Sequence, residues 1–396
     1  MPAMRRIGVV TVARSDYGVC RPLLRAIAAA DDLELVLIAG GMHLDPALGD
    51  TLGEILADGF VPAARVACSP EEDTPAGLAR AMGRGTAGFA AAYEGLGLDL
   101  LVVLGDRFEM HAAAVAALPF LIPVVQIAGG ALTYGAIDDA LRHSMTKLTS
   151  LHFVETEPYA ARVVQMGEAP ERVHITGALG LDNVKQIELL APDELDRRFG
   201  LALEDYGSPL LVTFHPVTRD FANTRRDAEA LLAALDEISS AHGLPLVFTY
   251  PNADTQGRVI VELIEAFAAA RPRVRCVAHL GTQGYFSLMA LAAAMAGNSS
   301  SGIIEAASFR LPVVDIGRRQ KGRLAPANVI HTGPGQAEIR AGLAKALDPI
   351  FRKSLENLEN PYGDGQAAPR MVEVLRQVDL ADPTLIQKPF HDLPRG

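Results

Sequence analysis

LLVVLGDRFEMHAAAVAALPFLIPVVQI, residues Leu100–Ile127, sets two short apolar runs, Leu100 to Leu104 and Val124 to Ile127, around an Ala-rich stretch of helical character. From Ala112 to Ala136 the chain carries no formal charge, a length that would span a bilayer. Pro119, Pro123, Gly129 and Gly130 instead divide it into a helix, a turn and a strand. A strand, a helix and a second apolar strand in succession form the βαβ unit of a parallel sheet buried on both faces.

The same alternation runs outward in both directions. Strands are expected at Ile7 to Val12, Glu34 to Ile38, His152 to Val154 and Val173 to Thr176 in the first half. In the second they are expected at Leu210 to Phe214, Leu246 to Tyr250, Val274 to Val277, Ala293 to Ala296 and Val313 to Ile316. The fold class is α/β, with two doubly wound Rossmann-like domains facing a cleft where the carboxyl ends of both sheets meet. The stretch Asp182 to Pro209 is a plausible crossing, which places domains at 1–190 and 191–382 with Pro383 to Gly396 as a tail. At 396 residues the chain exceeds one ordinary core, in keeping with that division.

Lys and Arg number 36 against 47 Asp and Glu, a net charge of −11 that argues against a nucleic-acid partner. Hydrophobic residues at 49% exclude disorder. Cys20, Cys68 and Cys276 are scattered, so neither a disulfide framework nor a structural zinc site has its ligands, and a reducing cytosol fits. The N-terminal MPAMRRIGVVTVARSDYG places an Arg and an Asp where an export signal would continue its apolar core. No membrane role is expected.

GNSSSGIIEAA, Gly297 to Ala307, follows a small apolar strand and opens a helix. Asn298, Ser299, Ser300, Ser301 and Gly302 would offer backbone N–H groups and hydroxyls to one anion, although a plain Ser N-cap explains the same letters. Glu305 stands where a carboxylate would accept from a ribose diol, which favours a nucleotide over inorganic phosphate. Arg14 in VARSDYG and Arg318 in IGRRQKGR would supply the cations that a diphosphate needs in an acidic protein, or belong to solvated loops. No Walker motif and no strand-to-helix GxGxxG occurs, so a P-loop NTPase and a nicotinamide enzyme lose support.

Asp106, after the strand Leu100 to Leu104, suits a general base or a helix N-cap. Asp138 and Arg142 share a helix face four residues apart, as do Asp139 and His143; surface ion pairs are the alternative for both. His215, in VTFHPVT, ends the first strand of the second half and would face Asp106 across the cleft.

Together these segments resemble the hydrolysing UDP-N-acetylglucosamine 2-epimerases. The resemblance is to the branch making N-acetylmannosamine for sialic-acid-type sugars and to relatives acting on nucleotide-linked bacillosamine derivatives. The matching stretches, in the family's order, are ARSDYG, GDRFE, GAIDDALRHSMTKLTSLHFVETEPYAARVVQMGE, PERVHITGALGLDN, FHPVT, TYPNAD, GNSSSGIIEA and IGRRQKGR. The resemblance implies a glycosyltransferase-B-like fold without metal or other cofactor, a homodimer, and a UDP-linked rather than GDP-linked sugar as substrate. It also implies that the second domain holds the nucleotide while a base takes the proton at C2 of the sugar and the diphosphate leaves C1. Asp106, Asp138, Arg142 and His215 match functional positions of the sugar site; Arg14, Ser299, Ser300, Ser301, Glu305 and Arg318 match or neighbour nucleotide-contacting segments. Where the sialic-acid branch reads HGGE, this chain reads AGGA, Ala128 to Ala131. A methyl group moves no proton, which implies a relocated base, a bulkier sugar, plain hydrolysis or glycosyl transfer, or nucleotide-sugar binding without turnover.

Overall fold

The computed structural model describes residues 4–45, 51–72, 74–134, 137–217, 223–251 and 257–393. Gly135, Ala136, Thr218 and residues 252–254 of the matching stretches, and the last three residues of the expected tail, lie outside them. The chain divides into two packed units, one of Met1–Ala131, Ile137–Asn183 and Tyr362–Gly396, the other of Leu132–Ala136 and Val184–Pro361.

In the first unit the parallel strands are β1 (Arg5–Thr11), β2 (Leu33–Gly40), β3 (Ala64–Val66), β4 (Leu100–Leu104), β5 (Val124–Ile127), β6 (Leu151–Val154) and β7 (Val173–Ile175). They lie in the order β3-β2-β1-β4-β5-β6-β7. Alternate residues serve opposite faces, as the pleat requires. Leu100 and Val102 join a core with Tyr17, Leu23 and Met371, while Leu101 and Val103 join Phe89, Met110 and Ala113.

In the second unit β8 (Leu210–Thr213), β9 (Leu246–Thr249), β10 (Val274–Val277), β11 (Ala294–Gly297), β12 (Val313–Ile316) and β13 (Val329–Thr332) lie in the order β10-β9-β8-β11-β12-β13. Leu210 and Val212 pack with Leu231 and Leu343 on one face, and Leu211 packs with Leu288 and Met295 on the other. Both sheets reverse direction of winding beside their first strand, between β1 and β4 and between β8 and β11. Such a switch point opens a crevice at the carboxyl ends of the strands, where open α/β sheets bind ligands.

Several features differ from the sequence reading. The units change at Asn183/Val184 rather than near residue 190, and from Tyr362 the chain returns to the first unit. The returning helix Ala367–Gln377 buries Met371 and Leu375 against Leu23 and Leu24 of the helix Arg14–Ala28. Its first amides, of Ala367 and Ala368, donate to the buried Asp182 carboxylate at 2.8 and 2.7 Å. The expected tail is in part a strap. Lys388 reaches the Glu168 carboxylate at 2.5 Å, and the His391 amide donates to the Gly167 carbonyl at 2.9 Å. Apolar periodicity cannot report such a return, because an amphipathic helix reads the same whichever sheet it covers.

Candidate functional site

Asp106 comes two residues after β4, past Gly105 at φ +75°, a left-handed turn that favours glycine. Arg142 projects from the helix Asp138–Leu148 with its side chain 5% exposed. One terminal nitrogen of its guanidinium donates to the Asp106 carboxylate, and the second terminal nitrogen donates to the Ala131 carbonyl at 2.9 Å. Asp139 stands 3.9 Å from the same guanidinium and 3.6 Å from His143. The expected Asp139–His143 pairing is present, and Arg142, which acts electrostatically on Asp138, donates to Asp106.

Burial raises the Asp138 carboxyl above its ordinary range, and Asp106 beside it adds to the effect, against the opposing pull of Arg142 and Arg107. One of two neighbouring carboxyls thus pairs with a buried cation while the other is pushed toward the protonation range of a general acid or base. Arg107 is anchored by Glu109, whose side chain is 2% exposed, at 3.0 Å. The letters GDRFE carry this pair, but two opposite charges two residues apart give no sign that one of them is buried.

Ala128 and Ala131 place methyl groups after β5. Ala128 has φ +64°, a left-handed backbone uncommon for a residue with a side chain. The loop is held by its carbonyls: Ala131 accepts from Arg142, and Gly130 accepts from Arg162.

Arg14 opens the helix after β1 and pairs with Glu54 at 2.9 Å, its side chain 47% exposed. Beneath it Asp16 is buried, accepting from the Thr11 hydroxyl at 2.5 Å and the Ala13 amide at 2.9 Å; burial raises its carboxyl to about 7. His43 links the Thr11 and Thr51 hydroxyls at 2.9 and 3.0 Å, and burial lowers it to about 4. Neither Asp16 nor His43 stood out in the sequence, since nothing in DYG or GMHL marks a buried pair.

In the second unit β11 ends at Gly297, φ +140°, followed by Asn298 and the three serines. The helix Ser301–Ile304 is a single turn, so the expected positive helix end is short, and the turn's own donors matter more. Among the described residues no acceptor meets the amides of Ser299 or Ser300. Tyr285 lies under the turn, its hydroxyl 3.2 Å from the Thr213 hydroxyl and hydrogen-bonded to Ser299 and Ser301. Glu305 closes the helix, near enough to Tyr285 to act on its hydroxyl electrostatically.

The Asn298 carboxamide faces protein rather than solvent: the His215 amide donates to it at 2.7 Å, and it donates to the His215 carbonyl at 2.8 Å. The arginine that reaches this turn is Arg319, donating to the Asn298 carbonyl at 3.0 Å. Arg318 is exposed and lines, with Lys321, Phe214, Val217 and Ile316, a cavity of about 880 Å³. His215 is 6% exposed, and burial, reinforced by Arg319, lowers its imidazole to about 3. It is neutral at pH 7 and can give and take a proton or a hydrogen bond without first losing a charge. Among the described residues no cluster of three or more His, Cys, Asp or Glu has metal-holding geometry, and no helix is long and apolar enough to cross a membrane.

The sequence aligns with proteins of the same organisation. It is 35% identical over 95% of its length to a Legionella pneumophila protein, 97% of which is covered, named UDP-N,N'-diacetylbacillosamine 2-epimerase (hydrolyzing). It is 38% identical over 82% of its length to a Campylobacter jejuni protein, 84% covered, named GDP/UDP-N,N'-diacetylbacillosamine 2-epimerase (hydrolyzing). The fold matches that of the Neisseria meningitidis UDP-GlcNAc 2-epimerase bound to UDP-GlcNAc, with a TM-score of 0.81 at 17% identity, over 94% of this chain and 100% of that one. With residues 25–376 matching the model of that family, the chain belongs to the UDP-N-acetylglucosamine 2-epimerase family.

Proposed function

We propose that the protein is a hydrolysing nucleotide-sugar 2-epimerase, acting on a UDP-linked 2-acetamido sugar and releasing UDP and the free sugar inverted at C2. The observation that carries this reading is the Asp106–Arg142–Asp138 cluster at the switch point of the first sheet. Asp138, whose carboxyl is raised by burial, takes the C2 proton. The C2–H electron pair forms the C1=C2 double bond of a glycal as the C1–O bond breaks and the diphosphate leaves with its electrons. Water then adds, its hydroxyl to C1 and a proton to the opposite face of C2. C2–H is weakly acidic, so Arg142 serves to hold Asp106 in place and to balance the second carboxylate.

The nucleotide belongs to the second unit. The amides of Ser299 and Ser300 bind the diphosphate, Glu305 the ribose, and Arg319 adds positive charge beside the turn, with the exposed Arg318 as a further phosphate partner. His215 assists the leaving group or the incoming water. The relatives' names favour a diacetamido sugar, and one relative's name admits GDP as well as UDP. A cytoplasmic homodimer is part of the proposal. The methyl groups of Ala128 and Ala131 favour one second reading, hydrolysis with C2 untouched.

Incubation with a panel of UDP- and GDP-linked 2-acetamido and 2,4-diacetamido sugars, followed by phosphorus and proton NMR, tests the proposal. Free diphosphate with a C2-inverted sugar supports it. Retained configuration supports the hydrolase, and binding with no release from any sugar refutes both.

A further inference from the structure

We propose that Asn298 is a positioning residue for His215, coupling the imidazole to the serine turn. The inference uses the proposed function only in giving His215 a part in the chemistry. β8 and β11 are parallel neighbours whose register ends at Thr213 opposite Gly297. One further backbone bond forms, from the Asn298 amide to the Thr213 carbonyl at 3.1 Å. There the strands end, and the Asn298 side chain continues the ladder.

A carboxamide has the donor, the acceptor and the planarity of a peptide group. Its Oδ1 accepts from the His215 amide at 2.7 Å and its Nδ2 donates to the His215 carbonyl at 2.8 Å, which are the two bonds a neighbouring strand would make. Asn298 is 1% exposed, and its own carbonyl accepts from Arg319 at 3.0 Å and from Gln320 Nε2 at 2.8 Å. Its carboxamide and its carbonyl thus both make protein contacts.

Two consequences follow for chemistry. Ser299 is the next residue, so an anion that draws on the turn pulls on the segment that orients His215. Arg319 is held 3.0 Å from the Asn298 carbonyl and is the cation that acts on the imidazole, so the same residue holds both the His215 backbone and that cation. Neither an Asp nor an Ala can replace it: Asp would set a second oxygen against the His215 carbonyl, and Ala would remove both bonds that the carboxamide makes to the His215 backbone.

The test uses the full-length protein and the variants Asn298→Ala, Asn298→Asp, His215→Ala and Asn298→Ala/His215→Ala, each checked for cooperative melting. With carbon-13-labelled histidine, the wild-type His215 ring should stay neutral down to about pH 5, two decades above its value near 3, and should titrate closer to 6.5 in both Asn298 variants. This readout requires no turnover, so it stands whether or not the protein proves to be an epimerase. In kinetics, Asn298→Ala should lower kcat by about 10- to 100-fold with KM changed by less than about threefold, and should cost nothing further once His215 is alanine. An unaltered His215 titration, or losses that multiply in the double variant, would overturn the proposal. If Asn298→Ala melts early, Asn298→Asp carries both measurements, because it keeps the acceptor for the His215 amide.

Discussion

Gly297→Ala should destabilise the second unit, and its cost has three parts. The glycine holds φ +140°, a region nearly closed to residues with a Cβ, worth about 1–3 kcal/mol of strain. An added Cβ would also fall far inside contact distance of the Thr213 carbonyl oxygen and 2.7 Å from its carbon, both backbone atoms that no rotamer change can move. Shifting them costs about another 1–3 kcal/mol as overpacking. It also strains the bond from the Asn298 amide to Thr213, worth about 1 kcal/mol. The sum, about 3–7 kcal/mol, is a large part of the stability of an ordinary domain. Gly200→Ala is the control: its φ of +67° is also left-handed, but nothing lies within 4 Å of the added atom, so about 1 kcal/mol is expected. Urea unfolding followed by circular dichroism reads the difference, and calorimetric titration with UDP reads the turn. Gly297→Ala with the stability of Gly200→Ala and wild-type UDP affinity would refute the argument that backbone packing at this position shapes the serine turn.

Three further outcomes are expected. Glu168, its side chain 1% exposed, is driven from 4.5 to about 2: burial alone would raise it, but hydrogen bonds from His152, Lys147 and Lys388 prevail. A depressed carboxyl stabilises above its unfolded value and loses that contribution as pH falls through its folded one. Glu168→Gln should therefore cost about 3 kcal/mol at pH 7, with the gap to wild type closing below about pH 4.5 in denaturant titrations. Asp106→Asn and His215→Ala should each retain UDP binding and lose more than about 100-fold in turnover; wild-type rates in either would return that residue to a structural role. UDP binding by calorimetry should be unchanged by EDTA, and an affinity lost on chelation would refute a turn that binds phosphate through N–H groups and arginines.

Leu100 to Leu104, Val124 to Ile127, Val274 to Val277 and Val313 to Ile316 are strands at the residues expected, because buried parallel strands are written as unbroken apolar runs bounded by turn residues. β3 and β13 were not legible. Ala64–Val66 is a three-residue edge strand whose middle residue is Arg65, and Val329–Thr332 is a partly exposed edge, so neither needs the apolar run that marks a central strand. At the candidate site, strand ends and turn residues pointed to Asp106, His215 and the serines, since loops at strand carboxyl ends are local in sequence. The Arg142–Asp106 pair spans 36 residues and the Asn298–His215 tether 83, and no local pattern reports contacts of that range. Arg318 was singled out over its neighbour Arg319 for the same reason: both are arginines in one loop, and only the fold decides which one turns inward.

The most direct test of the proposed chemistry is the fate of the hydrogen at C2. In deuterated water, with a nucleotide sugar that the protein turns over, the account predicts one deuterium at C2 of every released, inverted sugar molecule. It also predicts that Asp138→Asn abolishes both release and labelling while UDP still binds. Diphosphate release with protium retained at C2 would contradict the account and establish hydrolysis in its place.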